Sequence, residues 1–192
     1  MKKLFVIALA ALATLTASAQ QLAKVNFNEL VMLMPEMDAA RATIAASQKE
    51  AEETYAAMVE EYQGKANQYQ QKQATWTSAI RESKEKELYE IQNRIQEFQN
   101  SISQELQQQQ SQLTAPIQEK ANKVVTDMAK AKGITVLFDS SQAIYFADSV
   151  LDLTAEARKA LGIPDDRTLE SLQAELQAQA QQGQAGQAGQ AQ

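Results

Sequence analysis

Gly64-Lys65, the trio Asp139, Asp148 and Asp152, and the paired carboxylates Glu52-Glu53 and Glu60-Glu61 are the residues of this chain whose types and spacing could do chemistry. A Gly-Lys step closes a phosphate-cradling loop when an earlier Gly opens the turn and a Ser or Thr follows. Val59 and Ala66 occupy those two places, so neither the turn nor the cation-binding hydroxyl is present. Asp residues around a turn could ligate a hard cation, yet Asp at strand and helix ends more economically caps the local backbone. Adjacent Glu residues supply the acid and base of glycoside hydrolysis only when they flank a cleft. In a long polar helix they form a solvated face. With no His and no Cys in the sequence, zinc ligands and most nucleophile–base pairs are missing as well. The expectation is a protein with no catalytic, metal-binding or cofactor-binding residues, and not an enzyme.

One pattern remains. Tyr55, Tyr62, Tyr69 and Trp76 recur every seven residues through a run of Glu, Gln and Lys, in a sequence only 6% aromatic. That interval is two helical turns, so the rings share one line on a helix, as a binding strip or as a packing seam. Two long helices must position them. From Asp38, which can cap the start, to Ala74 there is no Pro, a single Gly and abundant Ala, Glu, Gln and Lys, predicting a helix of roughly 55 Å at about 1.5 Å per residue. A second runs from about Ser78 to Lys132, with Leu88, Ile91, Ile95, Phe98 and Ile102 spaced alternately by three and four. Its rhythm shifts over Leu106, Leu113, Ile117, Val124 and Met128, and Pro116 beside the shift predicts a kink or local unwinding. Gly133, after Lys130, Ala131 and Lys132, is a natural stop.

Folded back on each other, these helices would face residues whose numbers have a constant sum. The apolar residues obey this near 157: Tyr69 faces Leu88, Tyr62 faces Ile95, Tyr55 faces Ile102, Ala51 faces Leu106 and Ile44 faces Leu113. Met58 meets Phe98 one position off, Ile91 lies in the same row, and a polar interruption puts Gln48 opposite Gln109. The aromatic row is therefore read as the inner seam of a hairpin over residues 39–116. Its tip falls near Trp76 to Ile80, and Trp76 and Ile80 are the candidate contact residues there.

The first residues, MKKLFVIALAALATLTASAQ, combine Lys2 and Lys3, an apolar run and the small-residue site Ala17-Ser18-Ala19, the pattern of a secretory signal peptide over residues 1–19. The run is short for a membrane span and no Cys follows it, so a soluble exported protein is expected. Removing Lys2 and Lys3 leaves 16 basic against 24 acidic residues, a net charge near −8, which disfavours nucleic acid as a partner and leaves binding to an anionic membrane surface doubtful. The Gln-, Ala- and Gly-rich end, residues 163–192, is expected to be largely disordered apart from a weak amphipathic turn at Leu169, Leu172 and Leu176.

Residues 20–38 and 117–162 remain for a β-rich body. Ala23 to Phe27 alternates as a strand, and Asn28 can cap a short helix over 29–34. I-T-V-L-F-D and A-I-Y-F-A-D read as a hairpin about Ser140 to Gln142, and Thr154 can cap a helix over 155–161. Three strands of about five residues make a poor independent core, so several copies are expected to share one through Val25, Phe27, Val136, Phe138 and Tyr145. The fold class is α+β, mostly α: a long antiparallel two-helix coiled-coil arm projecting from a small β-rich oligomerisation body.

The order V-N-F-N-E-L, Met34-Pro35 before the hairpin, Thr-Ala-Pro116-Ile117 on the return, Lys132-Gly133-Ile134 leading to Asp139, A-I-Y-F-A-D and Asp152-Leu153-Thr154 resembles the Skp (OmpH) family of periplasmic chaperones over roughly residues 22–162. The resemblance implies a homotrimer with a small trimerisation body and three helical arms around a cavity, which holds unfolded outer-membrane proteins in the periplasm without ATP. The chain departs from the best-studied type in being acidic where that type is basic. A structural or adaptor coiled coil of the cell envelope, docking a partner at the hairpin tip, is the alternative that the residues leave open.

Overall fold

The computed structural model describes residues 21–190, with side chains described through residue 181; the expected signal peptide lies outside them. The chain divides into a unit formed by its two ends, which stop at Pro35 and resume at Ile117, and a unit Glu36–Pro116.

In the first unit, β1 (Leu22–Val25) leads into α1 (Phe27–Leu33), so Phe27 opens a helix instead of ending a strand. The cap is Asn26, whose Oδ1 accepts from the Glu29 N–H at 3.1 Å. Asn28, the expected cap, lies inside the first turn, where its side chain no longer reaches the free N–H groups. Two long helices follow, α2 (Pro35–Lys72) and α3 (Ser78–Ala131). After them come β2 (Val136–Asp139), β3 (Leu151–Asp152), α4 (Thr154–Ala160) and α5 (Leu169–Gln190).

The sheet corrects the expected hairpin. Its order is β2-β1-β3 and both pairings are parallel, with Lys24 opposite Phe138 on one side and Asp152 on the other. The run A-I-Y-F-A-D is not a strand. Asp139 accepts from the Ser141 N–H at 3.0 Å and caps a 3₁₀ turn, Ser140–Gln142, which carries the chain away instead of reversing it. The third strand is Leu151–Asp152, where Asp152 meets Lys24 at 3.5 Å. Thr154 is the first residue of α4 and accepts, through Oγ1, from the Asn26 N–H at 3.0 Å, tying that helix to the end of β1.

Alternation along β1 turns Ala23 and Val25 inward, where they are buried with Leu30, Leu33, Met34, Leu153, Ala157 and Ile163. Ile117, Ala121, Val125 and Ala129, every fourth residue of α3, are buried too. The helix stops as its sequence requires: Gly133 has φ 67°, the Ile134 N–H donates to Ala129 O at 2.9 Å and the Gly133 N–H to Lys130 O at 3.1 Å. No unwinding interrupts α3 at Pro116; the ring removes a single N–H from a helix of 54 residues. Of the segment expected to be largely disordered, Leu169–Gln190 is helical. Ala, Gln and Leu are good helix formers, and Leu172, buried where α5 meets α1, fixes the helix in place.

α2 starts at Pro35, the last residue of the first unit before the chain passes into the second, and its fixed φ suits the first helical position. Asp38, expected as the cap, lies in the first turn and pairs with Arg41 at 2.7 Å. After Lys72 a 3₁₀ turn, Gln73–Thr75, leads round to α3.

Candidate functional site

Polar pairs join α2 to α3 along the length of the second unit. The Gln109 amide donates to Ser47 Oγ at 2.9 Å, Arg94 pairs with Glu61, Lys65 with Glu87, and the Tyr69 hydroxyl donates to Glu85. The numbers of each pair sum to between 152 and 156, so the helices run antiparallel with a slowly drifting register. Gln109 therefore meets Ser47, and the expected partner Gln48 is exposed.

Glu87 is the electrostatic centre of this row. Its carboxylate accepts from Lys65 across the pair and from Lys84 on its own helix at 2.8 Å, and these bonds pull it down to about 2. Lys65 is raised in turn, chiefly by its bond to Glu87, and the Tyr69 phenol is raised by its bond to Glu85. The seam sum of 157 does not predict these pairs, because it places Lys65 opposite Gln92; long charged side chains reach along the helix to partners whose sums are lower.

Of the expected seam residues, Ile91 is buried, while Ile44, Ala51, Met58, Tyr62, Tyr69, Leu88, Ile95, Phe98, Ile102, Leu106 and Leu113 are half-buried. Tyr55 is exposed. At the turn Trp76 is half-buried with its ring edge-on to Tyr69, centroids 5.9 Å apart, while Ile80 is 44% exposed. Tyr89, which sequence reasoning did not single out, is 63% exposed on α3.

The second notable surface is the outward face of the sheet. Leu22, Val136 and Phe138 lie exposed on it, Phe138 at 43%. Phe146 folds back to meet Phe138, centroids 6.2 Å apart, and Lys24 lies 5.4 Å above the Phe146 ring. Ile144 and Tyr145, beside it, point into solvent, Tyr145 at 80%. Val25, expected on a shared surface, is 2% exposed and belongs to the chain's own core, and Phe27 is half-buried in α1.

The acidic trio does not converge on a cation. Asp139 caps its turn. Burial pushes the Asp152 carboxyl up, but bonds from Thr154 and the charge of Lys24 outweigh it and hold the group below its usual value. Among the described residues no group of three or more metal-ligating side chains comes together, and no helix is long and apolar enough to cross a membrane.

Long paired helices and a small three-stranded parallel sheet define a mostly helical α+β protein whose notable surfaces are extended faces. The chain belongs to the family of OmpH-like outer membrane proteins, whose sequence pattern it matches over residues 21–161. No curated protein matches it.

Proposed function

We propose that this protein is an ATP-independent holdase chaperone of the periplasm. In this reading three copies join through their sheets, and their helical arms enclose a cavity in which unfolded outer-membrane proteins are kept from aggregating. The observation that carries it is the division of labour along α2 and α3. Their large apolar side chains are mostly half-buried toward each other, and the remaining surface is an exposed mixture of Gln, Ala, Glu and Lys. Such walls make many weak contacts without selecting a sequence. Membership of the OmpH-like family supports the same reading, and the exposed apolar sheet face offers a surface for self-association.

The test is dilution of a denatured β-barrel membrane protein into buffer with and without this protein, followed by light scattering. Suppressed aggregation is expected with the whole chain. It should be lost when residues 55–102 are removed, and should fall only several-fold, about 1 kcal/mol, for Trp76→Ser with Ile80→Ser. A tip variant that abolishes protection outright would instead favour an envelope adaptor that docks one partner at the tip.

A further inference from the structure

Part-way along the paired helices the packing opens. Tyr55, Met58 and Tyr62 bring large side chains to this side of α2, whereas Ala51 brings a methyl group. Phe98, Ile102 and Leu106 on α3 are consequently half-buried beside unfilled space. Two grooves result, one on each side of Ala51, with volumes of about 510 and 660 Å³. Both are open to solvent, wide enough to take a side chain without enclosing it. In the first groove Ala51, Phe98, Ile102 and Leu106 form an apolar strip within a mainly polar lining, which includes Glu50 and Glu105 and no Lys or Arg.

Gln109 closes one end of that groove. Its amide N–H₂ donates to Ser47 Oγ at 2.9 Å, while its Oε1 is shielded from solvent and has no hydrogen-bond partner. Turning the amide over would exchange which atom is bonded and still leave one unpaired. A shielded polar atom without a partner is costly, and a ligand that supplies the missing bond recovers that cost.

We propose that this groove seats one apolar side chain of an extended, unfolded polypeptide, whose backbone completes the hydrogen bonding of Gln109. This rests on the holdase reading and gives it a place of concentrated contact away from the tip. An extended backbone carries both N–H and C=O groups, so it matches the amide in either setting. The acidic edge formed by Glu50 and Glu105 selects segments in which Lys or Arg adjoins the apolar residue.

The probe is a fluorescein-labelled peptide of Gly and Ser carrying one Trp between two Lys, with binding to the full chain read by anisotropy. Ala51→Leu fills both grooves and should weaken binding at least about fivefold, and Gln109→Leu about threefold. A peptide with Glu in place of Lys should bind more weakly than the probe. Unchanged binding to Ala51→Leu, with helix content by circular dichroism also unchanged, overturns the proposal. A benzophenone group on the peptide gives a measurement that needs no variant: adducts should map to residues 47–54 and 98–109, and adducts spread evenly along the chain overturn it. If Ala51→Leu changes the mass of the protein in solution and leaves peptide binding intact, the groove holds a second copy and the proposal falls. The aggregation assay keeps the two ideas apart. Protection without groove-dependent peptide binding removes the groove alone, whereas groove-dependent binding without protection removes the holdase reading.

Discussion

Arg158 on α4 donates to Glu29 on α1 at 2.7 Å, joining residues 129 positions apart, with side chains only 12% and 24% exposed. The same guanidinium donates to the Pro164 carbonyl at 2.9 Å and to the Arg167 carbonyl. Replacing it leaves a shielded carboxylate without its cation and takes from the Arg167 carbonyl its guanidinium donor, while the Pro164 carbonyl keeps the Arg167 N–H. Arg158→Leu should therefore cost about 3 kcal/mol of stability, and removing both charges with Glu29→Leu should recover much of it. Urea unfolding followed by circular dichroism measures this, and a loss under about 0.5 kcal/mol would show the clamp to be idle.

Acid should loosen the helix pair through Glu87. Its folded value, about 2, lies below the ordinary 4.5, so the stabilisation is fully present above about pH 4.5 and is lost as pH falls toward 2. The carboxylate is half-exposed, so water screens the effect and keeps it small. Glu87→Gln should flatten the dependence of unfolding free energy on pH across that interval. An unaltered slope would mean that the Lys65 and Lys84 bonds do not persist in solution.

Assembly should depend on the outward sheet face. The native protein is expected to scatter light with three times the mass of one chain, and Phe138→Lys should reduce that mass while leaving helix content unchanged. Val25→Lys should instead unfold the chain, because that side chain is in the core. A folded Phe138→Lys protein of unaltered mass would move the interface elsewhere.

The long helices were legible because periodic apolar residues, good helix formers and Gly133 all point the same way. Helix ends were less so: Asn26 and Asn28 are equally good caps by type, and only the path of the chain decides between them. The sheet was misread for a related reason. A-I-Y-F-A-D has the alternation of a strand, but Asp139 caps a 3₁₀ turn that carries the chain away from β2, so the free edge of β2 is not met by the segment that follows. Ala51 drew attention as a seam member, while the space beside it depends on the volumes of residues across the helix pair, which a pattern of apolar positions does not encode.

Beyond the matched family region, α5 should contribute to stability. Leu172→Ala should cost about 2–3 kcal/mol, as for other fully buried leucines, and a chain ending at Thr168 should lose at least as much. Equal stability of the two shortened or altered forms with the parent, in urea, would show that α5 only rests on the surface.

The central strand is the first described element of the chain, and both its partners lie more than 110 residues further on. The sheet therefore cannot close until residues 136–152 are brought back to the start of the described chain. Pairing of α2 with α3 needs only residues adjacent in the chain and shortens the loop that separates β1 from β2. Local pairing of the helices is expected to precede closure of the sheet, and any surface formed on the sheet is withheld until the two ends of the chain have met.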